Sequence, residues 1–289
     1  MSLPVKHALI TAAGADERRL PLQNLTDRRG DWKPVIVIQI DEMLEAGIEK
    51  VGIVIRPDDR PAYETVLAPY GQRVALVEQP APLGYGHAVL CGREFIGTAP
   101  FLLQVSDHLY VGAGKGNGEQ SCTRQLLDLA RTEGCALSAV QATPESQLCH
   151  YGTIAGNLVP ARRDLYQIEN VIEKPTPTLA EQTCVVPGLR LGHYLCFFGM
   201  HVLTPTIFTL LESARTSAPD EKLGLSPSLA QLATREKYLA ALLSGRRADL
   251  EARLGVFRAQ LALGLHGPSR EALLAVLAEE LALDATLRK

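Results

Sequence analysis

"LITAAGADERRLP", residues 9–21, carries an apolar run into a turn of small residues. Residues 5–11 read as a strand, mixed enough in apolar character to be buried on both faces. The turn that follows, Thr11-Ala12-Ala13-Gly14, bares backbone N–H groups that can approach phosphate oxygens. Small residues also suit any tight strand-to-helix turn, so by itself the stretch is a weak signal. Asp16 and Glu17 then stand where a polyphosphate would meet bare backbone.

Outward from this stretch, short apolar runs alternate with helical patterns. Pro34 opens a helix as its first residue, with Val35, Ile38 and Met43 on the inner side and Gly47 as the stop. Residues 50–55, 74–78, 100–105 and 136–141 read as strands. Residues 86–95 and 120–133 read as helices, the second closed by Gly134. Strands separated by helices predict an α/β fold with a mostly parallel sheet, its ligands at the carboxyl ends of the strands. After about residue 150 the rhythm changes. Residues 151–158 and 168–173 are strands with no helix between them, and 193–202 is another strand. Residues 204–212 are a short helix, 213–227 a polar loop, and 228–243 and 250–263 two helices. His266-Gly267-Pro268 breaks the chain, and Ser269 caps a last helix whose apolar face is Leu273, Leu274, Leu277 and Leu281.

Composition narrows the function classes. The chain of 289 residues is 46% hydrophobic and 21% charged, with a net charge of −3. That balance disfavours a broad nucleic-acid surface and leaves a local anion site open. No apolar run approaches the ~18 residues of a membrane span, and the first residues lack a secretory layout. Six cysteines show no C-x-x-C pair and no zinc spacing, so they read as reduced thiols, mostly buried, in a cytoplasmic protein.

Three further segments carry chemistry. Gln79-Pro80-Ala81-Pro82-Leu83-Gly84-Tyr85-Gly86-His87-Ala88 places two glycines ahead of a helix, and Gln79 can offer a donor and an acceptor to a base edge. Phe101 to His108 is a buried strand ending in Ser106-Asp107-His108. Asp107 is placed to hold Mg²⁺, which takes a few carboxylates plus phosphate oxygens, or to cap a helix. Val171-Ile172-Glu173-Lys174-Pro175 delivers an acid and a base on opposite faces of a strand, which also suits a charged edge strand.

In this order the segments resemble the sugar-nucleotide pyrophosphorylases, and within them the bacterial UTP–glucose-1-phosphate uridylyltransferases. The resemblance covers roughly residues 5–265. It is carried by "PLGYGHAVLCGREFIG", "EAGIEKVGIVI", "YGTI", "VIEKP" and "HYLCFFGMHVLTPTIFTLLE". It implies a Rossmann-like αβα sandwich of nucleotidyltransferase type spanning residues 1–265. A C-terminal helix, 266–289, would pack on that domain or on a homodimer partner. The implied substrates are an NTP, with UTP favoured, and a sugar-1-phosphate, glucose-1-phosphate foremost, with Mg²⁺ as cofactor. Ala12, Ala13 and Gly14 would pack on base and ribose, while Gln79 and Gly84 would read the uracil edge. Asp107 and Asp249 would hold the metal. Gly152 and Glu173 would line the sugar pocket, and Lys174 would meet the sugar phosphate. Arg18, Lys174 and Asp107 would be the catalytic side chains.

The chain departs from that family at the loop. The family reads Gly-x-Gly-Thr-Arg; here Gly14-Ala15-Asp16-Glu17-Arg18 keeps only the first glycine and the arginine. The family's following Pro-Lys segment has no clear counterpart, although Arg28, Arg29 and Lys33 stand nearby. A carboxylate about 4 Å from a phosphate charge costs ~4 kcal/mol at an effective dielectric of 20, and each ~1.4 kcal/mol is tenfold in affinity. A second reading is therefore a catalytically weak paralogue that binds a nucleotide or sugar phosphate, or regulates an active partner. A dinucleotide-dependent dehydrogenase is disfavoured, because no G-x-G-x-x-G follows the first strand.

Overall fold

The computed structural model describes residues 3–14, 20–112 and 120–287, with side chains to residue 284. Strands β1 (His7–Thr11), β2 (Asn24–Thr26) and β3 (Trp32–Pro34) precede helix α1 (Val35–Glu45). Then come β4 (Lys50–Ile55), α2 (Arg60–Leu67), β5 (Val74–Glu78), α3 (Tyr85–Cys91), α4 (Arg93–Ile96), β6 (Phe101–Val105) and β7 (His108–Gly112). The middle holds α5 (Cys122–Glu133), β8 (Ala136–Pro144), β9 (Gly152–Leu158), β10 (Leu165–Glu173), α6 (Pro177–Thr183) and β11 (His193–Leu203). The chain closes with α7 (Thr206–Ser217), α8 (Ser226–Arg235), β12 (Tyr238–Leu242), β13 (Gly245–Asp249), α9 (Gly255–Leu265) and α10 (Arg270–Leu287).

Nine strands form one sheet in the order β5-β4-β1-β6-β11-β8-β12-β10-β9. Its first four strands are parallel. Beyond them, β11 runs antiparallel to β6 and β8, and β10 antiparallel to β12 and β9. Only β12 with β8 restores a parallel pair. The sheet is mixed, which corrects the expectation of a mostly parallel one. The parallel half is the part whose strands alternate with helices. Where β9 meets β10 there is no crossover helix, and a short return of this kind makes an antiparallel pair.

Alternation along β1 sends Leu9 and Ile10 into different cores. Ile10 packs with Ile36, Ile40 and Met43 of α1 and Leu126 of α5. Leu9 packs with Val89 of α3, Phe208 and Leu211 of α7 and Leu229 of α8. Helices thus cover both faces of the sheet. Ser121 starts α5 by accepting a hydrogen bond from the Arg124 amide at 3.1 Å. One polar cluster lies inside: Ser138 Oγ is 2.5 Å from His201 Nδ1 and is also hydrogen-bonded to the Tyr238 hydroxyl. Burial pushes the His201 imidazole down to about 3.

Several boundaries differ from the sequence reading. Residues 228–243 are not one helix: α8 ends at Arg235 and β12 follows. Tyr-Leu-Ala-Ala-Leu has helical propensity, yet a short apolar run of this kind fits a fully buried strand equally well, and burial between β8 and β10 decides. Residues 245–249 form β13, which delays α9 to Gly255. Helix α7 runs on to Ser217 into the expected loop. Helices α2 and α6 and strand β7 were not anticipated. On α10, Leu273, Leu274 and Leu277 are half-buried, whereas Leu281 is 72% exposed and lies off the inward face. All six cysteines are free thiols, four of them buried. Among the described residues no helix is long and apolar enough to cross a membrane.

Outside the main sheet, β7 and β13 form an antiparallel ribbon. Leu109, Val111, Ala248 and Leu250 pack it onto α9. This ribbon sets Asp249 directly opposite His108.

Candidate active site

Strands β1 and β6 are neighbours, so their carboxyl ends, Thr11 and Val105, open side by side. There a cavity of about 340 Å³ gathers Ala13, Gly14, Gln79, Gly84 and Asp107 with Tyr85 and Lys222. Four separate sequence segments meet at the position where α/β sheets bind ligands. Ala12 sits one residue back, 2% exposed, and its amide donates to the Val54 carbonyl at 2.8 Å. It continues the end of β1 between its neighbours rather than lining the cavity. Arg18, with Asp16 and Glu17, lies outside the described residues.

Gln79 extends β5, its amide donating to the Ile55 carbonyl at 2.8 Å. Its side-chain Nε2 donates to the Gly84 carbonyl at 3.1 Å and to His87 Nδ1 at 3.0 Å. Because the Gly84 carbonyl can only accept, the nitrogen of the Gln79 amide faces it, and the same nitrogen makes His87 Nδ1 the acceptor of its second N–H. Burial, and then the charge on Arg215, push the His87 imidazole below its ordinary value. Both amide N–H groups are therefore spent inside the protein. Only Oε1 is left for a ligand, which corrects the expectation that Gln79 offers a donor as well.

Gly84 ends the same loop at φ +105 and ψ 170. Leu223 zips onto this loop: its amide donates to the Leu83 carbonyl at 2.7 Å, and its carbonyl accepts from the Gly86 amide at 2.8 Å. A Cβ on residue 84 would stand 2.5 Å from the Leu223 oxygen. Gly84→Ala combines a backbone conformation reserved for glycine with that clash. Its expected effect is a loss of about 2–4 kcal/mol in urea unfolding. A loss under ~0.5 kcal/mol, an ordinary surface value, would contradict this close packing.

Asp107 occupies the turn between β6 and β7, 9% exposed. Its Oδ1 accepts from His108 Nδ1 at 2.7 Å, and its backbone carbonyl accepts from the Leu250 amide at 2.9 Å. His108 Nε2 is buried with no hydrogen-bond partner and lies 3.8 Å from Asp249 Oδ2. The Tyr151 hydroxyl donates to that same Oδ2 at 2.8 Å, while the Glu251 and Ala252 amides donate to Oδ1 at 3.0 and 3.1 Å. Burial works against the charged form of Asp249, but His108, the Tyr151 hydroxyl, the Ala252 amide and Arg247 together hold its carboxyl below the usual range. Arg247 lies 3.6 Å over the Tyr151 ring and donates to the Phe197 carbonyl. Among the described residues no three His, Cys, Asp or Glu side chains form a metal-binding group. Mg²⁺ takes one or two carboxylates and completes its shell with water and phosphate. Asp107 in the turn after β6 and Asp249 at the end of β13, on either side of the His108 imidazole with its orphaned nitrogen, fit that partial shell.

On the other flank, β9 pairs with β10 so that Gly152 faces Glu173. Ser226 Oγ donates to Glu173 Oε2 at 2.5 Å. A Cβ on residue 152 would stand 3.0 Å from that oxygen, so the bare glycine makes room for the carboxylate. Strand β10 ends at Glu173, and Lys174 turns to φ +46. The alternation expected to set these two on opposite faces therefore stops between them. Lys174 is exposed and makes no ion pair among the described residues. A left-handed non-glycine residue costs about 1–2 kcal/mol, and one before proline is usually extended.

The chain matches the nucleotidyl transferase family over residues 18–244. It belongs to the nucleotidyl transferase family. It is 30% identical, over 96% of both chains, to the UTP–glucose-1-phosphate uridylyltransferase YngB of Bacillus subtilis. It is 28% identical to the UTP–glucose-1-phosphate uridylyltransferase of Pseudomonas aeruginosa, over 85% of this chain and 91% of that one. A solved UDP-glucose pyrophosphorylase complexed with UDP-glucose is 25% identical, with a TM-score of 0.71 over 90% of this chain and 98% of that one. The UTP-bound enzyme from Acinetobacter baumannii, at 24% identity, shares the fold with a TM-score of 0.71 over 95% of this chain and 99% of that one.

Beside these predicted residues stand side chains that the sequence does not announce. Lys222 lay in a stretch read only as polar loop. Tyr151 opens the "YGTI" stretch and Arg247 lies two residues before Asp249, but nothing in their spacing announces that one braces Asp249 and the other lies over the brace. Ser226 begins α8 and reaches Glu173 across 53 residues of sequence. A larger hollow of about 620 Å³ between α1 and α5 is lined by Arg28, Arg29 and Lys33 and by none of the residues that line the strand-end cavity. In it burial pushes Glu42 up to about 7, against the charge of Arg28.

Proposed function

We propose that this nucleotidyl transferase moves a uridylyl group from UTP to a sugar-1-phosphate, glucose-1-phosphate foremost, and releases pyrophosphate. The observation that carries the proposal is the cavity that brings Ala13, Gly14, Gln79, Gly84 and Asp107 to one strand-end opening. The small residues after β1 let the nucleoside lie against the backbone, and Gln79 Oε1 accepts a hydrogen bond from the base. Glu173, held by Ser226, accepts from sugar hydroxyls. Lys174 neutralises the sugar phosphate. An oxygen of that phosphate attacks the α-phosphorus, the bond to the bridging oxygen breaks, and pyrophosphate leaves with the electron pair. No covalent enzyme intermediate is needed, so the protein contributes positioning and charge. Asp107 and Asp249 are the residues to hold Mg²⁺, which when bound supplies positive charge to the phosphates.

The names of the relatives support UTP and glucose-1-phosphate as substrates. Asp16 and Glu17 favour a second reading, binding without turnover, because two acids at these positions of the sequence would repel a triphosphate bound at the family's Gly-x-Gly-Thr-Arg stretch. The deciding experiment incubates the protein with Mg²⁺, glucose-1-phosphate and each of UTP, dTTP, GTP, CTP and ATP, and follows pyrophosphate release. UTP is expected to give the fastest release. Absence of release with every pair, together with nucleotide binding by calorimetry, would replace transfer by the binding role.

A further inference from the structure

We propose that Lys222 completes the base-reading edge of the cavity, its ammonium donating to a carbonyl oxygen of the base beside the Gln79 Oε1 that accepts the adjoining ring N–H. The inference deepens the uridylyl reading and rests on it.

Three observations carry it. Lys222 lines the cavity together with Gln79 and Gly84, and is the one cationic side chain among the described lining residues. It makes no ion pair among the described residues, so its charge is not already used there. Its backbone is fixed at this spot. Leu223, the next residue, is hydrogen-bonded to both Leu83 and Gly86, and the contact with Gly84 leaves no space for the two segments to slip.

The chemistry follows from what Gln79 has left. Its two N–H groups are committed to the Gly84 carbonyl and to His87 Nδ1. Turning the amide over would set oxygen against the Gly84 carbonyl, so the orientation is determined. The glutamine is then an acceptor only, and a lysine ammonium is a donor only. Acceptor beside donor matches the N3–H and O4 carbonyl of uracil. On that edge cytosine presents a bare N3 beside an amino group, and both contacts invert. Guanine carries the uracil-like pair on a two-ring base, so the single-ring choice comes from the proposed function rather than from this pattern.

The test compares wild type with Lys222→Met. UTP and CTP binding are measured by calorimetry without sugar phosphate, and inorganic pyrophosphate binding is measured alongside. Loss of one charge-assisted hydrogen bond predicts about a tenfold loss of UTP affinity. CTP affinity should change less than about threefold, and pyrophosphate affinity should not change. Lys222 is exposed, and the Leu223 hydrogen bonds use only backbone, so the urea midpoint should stay in place. Equal losses for UTP, CTP and pyrophosphate would make Lys222 a phosphate contact and overturn the inference, as would unchanged UTP affinity. If wild type bound no nucleotide at all, the uridylyl reading would fall and this inference with it. UTP binding indifferent to Lys222 would remove this inference alone.

Discussion

Asparagine in place of Asp107 is expected to lower pyrophosphate release by about 10²–10³-fold, the usual loss when one electrostatic partner of a transition state is removed. The substitution takes away a charge and little else. Asparagine Oδ1 still accepts from His108 Nδ1, and the backbone carbonyl still accepts from the Leu250 amide. The turn between β6 and β7 therefore keeps its hydrogen bonds, and the urea midpoint should shift by less than ~0.5 kcal/mol equivalent. Asp249 offers no such clean test. Its carboxylate holds the Tyr151 hydroxyl and two backbone amides, so replacing it disturbs the end of the β13 ribbon as well. Turnover within about threefold of wild type in Asp107→Asn would take Asp107 out of the charge-handling machinery.

The largest pH effect on stability is expected from His201. The core accepts only its neutral ring. Above about pH 6.5 the folded and unfolded chains both hold the ring neutral, and its stabilising contribution is complete. As pH falls, the unfolded chain takes up a proton that the folded chain refuses until about pH 3. Over that window unfolding gains about 1.4 kcal/mol per pH unit from this one group, roughly 5 kcal/mol in all. Glu42 acts with the opposite sign. Its folded value is raised from 4.5 to about 7, so its contribution is present at low pH and lost as pH rises through about 7. The wild-type curve mixes the two, and the comparison with His201→Asn separates them. Asparagine keeps an acceptor near the Nδ1 position for Ser138. The variant should be less stable at pH 7.5, and the gap should close by about 1.4 kcal/mol per unit below pH 6.5. Parallel curves from pH 7.5 to 4.5 in urea unfolding would show that the ring is not held neutral.

Local pattern made the first half of the fold legible. Where strand and helix alternate, from β1 to β6, period and punctuation place β1, α1, β4, β5, α3 and β6 and the parallel pairing of the strands, though not β2, β3 or α2. The second half resisted because its decisive features are not local. Tyr238–Leu242 is a strand only because β8 and β10 lie on either side of it. His108–Gly112 is a strand only because β13 pairs with it. The site divides in the same way. Ala13, Gly14, Gln79, Gly84 and Asp107 each end a strand or open a turn, and such positions can be read from sequence. Lys222 is one lysine in a polar loop, and it gains meaning only when Leu223 is found on Gly86. The hydrogen-bond state of Gln79 was equally out of reach, since His87 and the Gly84 carbonyl consume its donors through folded geometry.

The segment from Lys222 to Ser226 touches more than one partner. Lys222 faces the cavity at the strand ends, Leu223 grips the loop carrying Gly84, and Ser226 holds Glu173 on the far flank. Five consecutive residues thus join the strand-end cavity to the flank where Gly152 faces Glu173. On the proposed function, a base seated against Lys222 would bear on the same short segment that holds Glu173, and two substrates sharing no side chain would be coupled through it.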